Sequence, residues 1–336
     1  MTTLGGRDTQ TETLLGAVRA PATRSTLAVV IPCHNEEHAI ASVVHDFRQA
    51  LPEADIYVYD NQSTDATREH ASRAGAIVRR EPRLGKGNVV RRMFADVEAD
   101  IYVMVDGDGT YHAPTARHMV DLLIDNDLDM VVGRREPIAD DDRAYRRGHS
   151  TGNAVFARVF RLLYGSDFTD AFSGYRVMSR RFVKSFPGTS SGFEIETELS
   201  GHAATVSAAC SEVPTPYRSR KGNSNSKLRT YRDGGRILRV ALQQFRELRP
   251  LQFFGILFIV LTAAAVGIGI PVVNEYVRSG LVLRFPTAIL AAAIQTVAFI
   301  CLTCGLVLQS VGRARQEVRR LAYLQIESPG GCRRGP

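Results

Sequence analysis

Two stretches near the C-terminus limit what this chain can fold into more than any other feature. Leu251 to Val273 runs for 23 residues without a charged side chain, and Pro286 to Gln309 runs for 24. A helix needs about 20 consecutive apolar residues to cross the hydrocarbon core of a bilayer, so both stretches read as transmembrane helices. The link between them carries only Glu275, Arg278 and Arg284 as charges. The outer flanks differ: residues 218–249 hold 10 Lys/Arg against 2 Asp/Glu and residues 310–336 hold 6 against 2, whereas residues 1–217 hold 24 against 30. Cationic flanks stay on the cytoplasmic side, which predicts an integral protein of the cytoplasmic membrane with the N-terminal domain and both termini inside. The net charge of +7 therefore belongs to two juxtamembrane zones, a distribution suited to anionic membrane lipid and not to nucleic acid. Arg outnumbers Lys 38 to 4, which points to a GC-rich bacterial genome. The five cysteines are scattered and imply no disulfide framework, and Cys301 and Cys304 lie in an apolar run where a packed helix face is expected rather than a zinc or redox site.

Ahead of the spans, short apolar runs alternate with helical periodicity. Residues 1–25 lack an apolar segment and read as a mobile tail, neither signal peptide nor anchor. Strands are expected at Leu27–Ile31, Ile56–Tyr59, Ala76–Val78, Ile101–Val105 and Met130–Gly133, with helices between them ending near Ala50, Gly75 and Asn126. Such alternation predicts an α/β domain built on a mostly parallel sheet covered on both faces. Ser63 or Thr64 is placed to cap the second helix, and Pro114 suits the first turn of a later one.

Polar clusters fall where strands give way to helices, which is where open α/β sheets bind ligands. Asp106-Gly-Asp108 follows an apolar strand, and two carboxylates on a sharp turn can converge on one hard cation. Asp60, with Asn35 and Glu36 on the neighbouring tip, can accept hydrogen bonds from a base or ribose; alone, Asp60 is more often a helix cap. Gly85 and Gly87 would let backbone N–H groups approach phosphate with Lys86 as counter-charge, although a lone lysine is more often solvated. Arg134, Arg135, Arg146 and Arg147 form either a solvated surface or a phosphate grip. Asp170 to Arg176 is a polar loop, and Glu194 and Glu198 would share one helix face, in solvent or lining the site. Arg220 to Lys227 is a small-residue basic loop fit to close over phosphates, and Tyr231 to Arg249 has the composition of a basic amphipathic helix at a membrane surface.

Taken together, Ile31-Pro-Cys-His-Asn35-Glu36, Asp60-Asn-Gln-Ser63-Thr-Asp65, Asp106-Gly-Asp108 and Asp170 to Arg176 resemble family 2 inverting glycosyltransferases of the Rossmann-like GT-A fold. With the two spans, the chain is similar to polyprenyl-phosphate glycosyltransferases, the group containing dolichol-phosphate mannose synthase and bacterial undecaprenyl-phosphate glucosyltransferases. The resemblance implies a nucleotide-sugar donor, with UDP-glucose the first choice, and a polyprenyl-phosphate acceptor. It implies that Pro32, Asn35, Glu36 and Asp60 hold the nucleoside, that Arg220, Ser226 and Lys227 close on the diphosphate, and that Asp106 and Asp108 hold Mg2+ or Mn2+. Arg135, with Arg146 or Arg147, would bind the acceptor phosphate, and Asp170 and Arg176 would border sugar and acceptor, Asp170 as the fallback base. Two positions depart from the pattern: Thr110 stands where a glutamine often ligates the metal, and Asn61 where a second Asp is frequent.

The implied organisation is a catalytic domain over 26–228, a juxtamembrane helix over 229–250, spans at 251–273 and 286–309, and a basic tail over 310–336. The subunit count is left open, a homo-oligomer included. Three rivals share parts of the pattern. A processive polysaccharide synthase usually carries a Gln-x-x-Arg-Trp motif, and this chain has no Trp; a nucleotidyltransferase would leave the apolar pair without purpose; an inactive membrane scaffold would bind no donor.

Overall fold

The sheet grows outward from β1 (Leu27–Cys33), whose seven residues are all buried. In this computed structural model residues 25–137, 169–170, 172–192, 194–218, 245–246 and 249–327 are described. Arg146, Arg147, Arg220, Ser226, Lys227, nearly all of the expected amphipathic helix and the far ends of both expected tails lie outside these residues.

Parallel β2 (Asp55–Asp60) flanks β1 on one side and β4 (Ile101–Met104) on the other, with β3 (Ile77–Arg80) at the edge beyond β2. Alternate residues of β1 point to opposite faces, as the strand period requires. Val29 and Ile31 pack under α1 (Ile40–Ala50), α2 (Thr67–Arg73) and α4 (Thr115–Asp125), while Ala28 and Val30 pack under α3 (Lys86–Asp96), α5 (Arg180–Ser185) and α6 (Ile195–Thr205). Because both faces are covered, the strands read as continuous apolar runs, and that is why they were legible.

The sheet is mostly parallel, as expected, with one antiparallel strand in its far half. Its order is β3-β2-β1-β4-β6-β5-β7, with β6 (Arg176–Ser179) antiparallel to both β4 and β5 (Met130–Pro137), and β7 (Cys210–Tyr217) parallel to β5. β5 also runs on through Arg134 and Arg135 to Pro137, four residues past the expected end, because β7 pairs with it along its whole length. The expected cap on α2 differs too. Asp65 Oδ1 accepts from Thr67 N at 3.0 Å, and Ser63 Oγ instead accepts from Asn35 N at 2.9 Å.

The two apolar segments form α7 (Pro250–Ser279) and α8 (Phe285–Leu324), both longer than the apolar runs themselves. They pack as a pair: Phe258 and Phe299 rings lie 5.7 Å apart, Gln295 Nε2 donates to Thr262 Oγ1 at 3.3 Å, and Gly305 lets Phe254 approach. Outward-facing side chains such as Ile259, Val277 and Ile289 are more than half exposed. α8 is helical for 15 residues past Gln309, so the first part of the expected basic tail continues the same helix.

α6 carries a buried histidine in contact with that continuation. His202 lies against the Phe182 and Phe186 rings and shares a hydrogen bond with Ser185 Oγ at 3.0 Å. Burial, with a smaller push from Arg319 of α8, lowers its pKa to about 4. The unfolded chain therefore takes up a proton near pH 6.5 that the folded protein refuses until about pH 4, so this group makes stability fall as pH drops through that window, by up to about 3 kcal/mol. Thermal unfolding of the wild type and His202→Gln between pH 6.5 and 4.5 checks this; the variant's midpoint should fall less steeply, and parallel slopes would refute it.

Candidate active site

The C-terminal tips of β1, β2 and β4 meet at the point where the strand order reverses around β1. Beneath them is the Cys33 thiol. A Cβ on Gly107 would come within 2.4 Å of its sulfur, which explains the glycine in the acidic turn. Burial raises the Cys33 pKa well above its usual range, and Glu36, Asp106, Asp60 and Asp108 raise it further, so four of the expected site carboxylates surround this one strand end.

One wall joins the β1 and β2 tips. Asn35 adopts a left-handed backbone (φ 56°), and its Oδ1 accepts from Thr64 N at 2.9 Å. Glu36 N donates to Thr67 Oγ1 at 2.8 Å, and Pro32 is buried opposite Tyr59. Asp60 is fully buried; its Oδ1 accepts from Ser63 N at 3.1 Å, while its Oδ2 has no hydrogen-bond partner among the described residues and stands 3.7 Å from Arg68 Nε. A buried carboxylate oxygen without a donor is costly, and an N–H group brought by a ligand would relieve it. Asn61 is committed to the fold: Oδ1 accepts from Gly85 N at 2.7 Å, and Nδ2 donates to Arg83 O at 2.8 Å.

The glycines at 85 and 87 serve a different purpose from the one expected. The N–H of Gly85 is taken by Asn61, and that of Gly87 donates to Ser191 O at 3.1 Å. A Cβ on either would strike the Ser190–Ser191 carbonyls at 2.1–2.2 Å. The close approach is to the protein's own backbone, so neither N–H is available to cradle phosphate.

Asp106 and Asp108 form the second wall. Asp108 is 6 % exposed, and its Oδ1 accepts from Thr110 Oγ1 at 2.7 Å and from Thr110 N at 3.1 Å. Thr110 is thus a brace that aims Asp108, not a replacement ligand. Asp106 Oδ1 accepts from Lys86 Nζ, which also donates to Glu196. Burial opposes charge on Lys86, but the two carboxylates outweigh it and hold the ammonium charged. Asp106 is confined from behind as well, since a Cβ on Gly174 would lie 2.5 Å from its Oδ2. Two carboxylates on one turn are a hard-oxygen set suited to Mg2+ or Mn2+. Among the described residues no group of three His, Cys, Asp or Glu side chains converges on one point, so a cation held here would draw its remaining ligands from substrate or water.

The third wall is aromatic and basic. Asp170 takes a two-pronged grip from Arg135, Nε at 2.8 Å and an Nη at 2.7 Å. Burial works to raise the Asp170 pKa, but Arg135 outweighs it and the carboxyl is held below its usual range. That makes Asp170 a poor base and an anchor for Arg135. The Arg135 guanidinium lies 5.6 Å from the Tyr217 ring centre, Tyr217 packs on Tyr111 at 5.3 Å, and the Tyr111 hydroxyl accepts from Gly174 N at 2.9 Å. Through Gly174 this wall meets Asp106.

Arg176 overturns its assignment. It is fully buried, and its guanidinium donates to Ser173 O at 3.0 Å, Glu196 O at 3.0 Å and Ser200 Oγ at 2.9 Å. An arginine enclosed in this way offers no surface to an acceptor phosphate; it fastens β6 to α6. Of the three glutamates at and just before the start of α6 it is Glu196, not the Glu194–Glu198 pair, that reaches Lys86, while Glu198 accepts from Thr189 N at 2.7 Å and Ser190 N at 2.8 Å. Glu196, Tyr111, Tyr217 and Cys33 join the site without having been singled out for it, and only the i, i+2 spacing of the glutamates hinted at one of them.

Comparison with known proteins agrees with this geometry. Residues 28–186 match the family model for glycosyl transferase family 2. The chain is 37 % identical over 257 residues to the glycosyltransferase AglJ of Haloferax volcanii, covering 76 % of this chain and 84 % of that protein. It is 31 % identical over 212 residues to a dolichyl-phosphate hexose transferase of the same organism, covering 63 % and 90 %. Among solved structures, glucosyl-3-phosphoglycerate synthase from Mycobacterium tuberculosis in complex with Mn2+, UDP-glucose and phosphoglyceric acid superposes with a TM-score of 0.51 at 22 % identity, over 66 % of this chain and 79 % of that one. That likeness is one of fold.

Proposed function

This chain belongs to glycosyl transferase family 2, and from that premise we propose that it transfers a hexose from a nucleotide sugar to a polyprenyl phosphate held in the bilayer. It is a nucleotide-sugar-dependent glycosyltransferase of GT-A fold. UDP-glucose is the proposed donor and an undecaprenyl- or dolichol-type phosphate the proposed acceptor. The observation that carries the acceptor is the union, in one chain, of the acidic strand tip with an apolar helix pair whose outer faces are exposed. The dolichyl-phosphate hexose transferase, spanned over 90 % of its length, supports it.

In this reading the nucleoside lies against Pro32, Asn35, Glu36 and Asp60, with the bare Asp60 Oδ2 taking an N–H of the base. Asp106 and Asp108 hold Mg2+ or Mn2+, which when bound stabilises negative charge on the departing diphosphate. An acceptor phosphate oxygen attacks the anomeric carbon, the bond from that carbon to the diphosphate oxygen breaks, and the electron pair leaves with the nucleoside diphosphate. A phosphate monoester is already ionised near neutral pH, so the step needs orientation and charge relief rather than a base. Arg135, braced by Asp170 and Tyr217, supplies the positive side, with Arg146 or Arg147 beside it. Lys86 holds Asp106 in register, and Arg220, Ser226 and Lys227 belong to the diphosphate side. The Arg-rich outer flanks of the two apolar helices support a catalytic domain on the cytoplasmic face.

Membranes containing the protein, given labelled nucleotide sugars, are expected to place label in a chloroform-extractable lipid whose mass is that of a hexosyl polyprenyl phosphate. Label found only in polymer would sink the reading in favour of a polysaccharide acceptor. Gly174→Ala tests the placement of Asp106. Because the new methyl displaces that carboxylate, transfer should drop about a hundredfold, in line with the cost of ångström-scale misplacement, while circular dichroism is unchanged; unaltered transfer would remove Asp106 from the reaction.

A further inference from the structure

The last part of α8 leaves the apolar run and ends on the catalytic domain. Arg313, Arg315, Glu317, Arg319 and Arg320 make it a charged helix, yet its final turn inserts an aromatic ring into protein. Tyr323 is 3 % exposed, and its hydroxyl donates to Asp129 Oδ2 at 2.6 Å. The ring lies between two guanidinium groups, Arg181 of α5 at 4.7 Å and Arg320 of its own helix at 5.1 Å.

Asp129, at the start of β5, is fully buried and gathers several elements. Its carboxylate also accepts from Ser179 Oγ at 3.0 Å, Arg181 Nε at 2.5 Å, an Arg181 Nη at 2.8 Å and Ala209 N at 3.2 Å. Those four bonds lie within the catalytic domain and satisfy the carboxylate without α8. Tyr323 is an addition that fastens a helix 194 residues away. It stands 14 residues beyond Gln309, a distance of about 21 Å along a helix.

We propose that Tyr323 and Asp129 are positioning residues that key the end of α8 into the catalytic domain. The charged part of α8 then acts as a strut that sets the height and tilt of the site over the membrane for an acceptor that cannot leave the bilayer. A domain joined only through a flexible linker would sample many heights and present its site to that acceptor for a fraction of the time. The strut rests on the lipid-acceptor reading; the docking of Tyr323 does not.

Full-length wild type, Tyr323→Phe and Tyr323→Ala in phospholipid vesicles separate the two. Trypsin cleavage after Arg313, Arg315, Arg319 and Arg320 reports docking, and kinetics with a long-chain polyprenyl phosphate in the vesicle and with a short, water-soluble one report presentation. Tyr323→Ala should be cut about tenfold faster and raise KM for the bilayer acceptor about tenfold, the scale of one buried hydrogen bond to a charge. Tyr323→Phe, which keeps the ring between the two arginines, should fall between. Kinetics on the soluble acceptor and KM for the nucleotide sugar should stay unchanged. Equal loss on both acceptors, or unchanged cleavage and KM, would overturn the proposal. A wild type that transfers to neither acceptor while Tyr323→Ala still loses protection would sink the lipid-acceptor reading and the strut with it, leaving only the dock.

Discussion

Asp108→Asn is expected to lower sugar transfer about a thousandfold, the upper end of what one well-placed electrostatic group contributes in an enclosed site. The substitution is close to isosteric. Asparagine keeps an oxygen to accept from Thr110 N and Thr110 Oγ1, so the turn should hold its shape. What is lost is one negative charge at the position proposed to hold the cation. Initial rates across a Mn2+ or Mg2+ titration, with thermal unfolding as control, decide the matter. A variant that folds normally and retains a tenth or more of wild-type transfer would remove Asp108 from the metal site.

Lys86→Met should be nearly as damaging, and for a different reason. Methionine matches the length of lysine but leaves Asp106 and Glu196 facing one another without the ammonium between them. Removing one partner from a buried ionic cluster costs about 3–5 kcal/mol. Transfer should also drop about a hundredfold as Asp106 loses its register. Adding Glu196→Gln to that variant separates the two effects, because it deletes the charge that Lys86 no longer neutralises. Stability should then recover in large part while activity does not. Recovery of both would make Lys86 a structural lysine only, and recovery of neither would show that Glu196 matters beyond its charge.

The sequence showed the proposed donor half of the site better than the rest because that half is local. Asn35, Glu36, Asp60, Asp106 and Asp108 all follow strands legible as apolar runs, and neighbouring parallel strands bring their tips together without long-range information. Where the reasoning failed, the deciding contact was distant in sequence. Gly85 and Gly87 announced a close approach, but only the fold reveals that the approaching group is the backbone at Ser190 and Ser191. Arg176 looked like a loop cation, and β6 pairing on both sides buries it. Thr110, which departs from the family pattern at a position where a glutamine often ligates the metal, braces Asp108. The charge count after Gln309 suggested a free tail, and nothing in it pointed to the buried Tyr323 hydroxyl.

The placement of β6 also dictates the order in which the chain can fold as it is made. β1 to β4 follow one another and sit side by side in one parallel half-sheet, so the proposed nucleoside side of the site can form from the first 110 residues or so. β5 comes next in the chain but has no seat beside β4; that edge belongs to β6, which is completed only at Ser179. β5 therefore waits on a strand synthesised some forty residues later, and β7 waits on β5. Pairings across such separations carry a loop-closure cost and are slow to form. A ribosome-bound chain holding the first four strands thus leaves the β4 edge unpaired until β6 is made, the kind of open strand edge that favours aggregation.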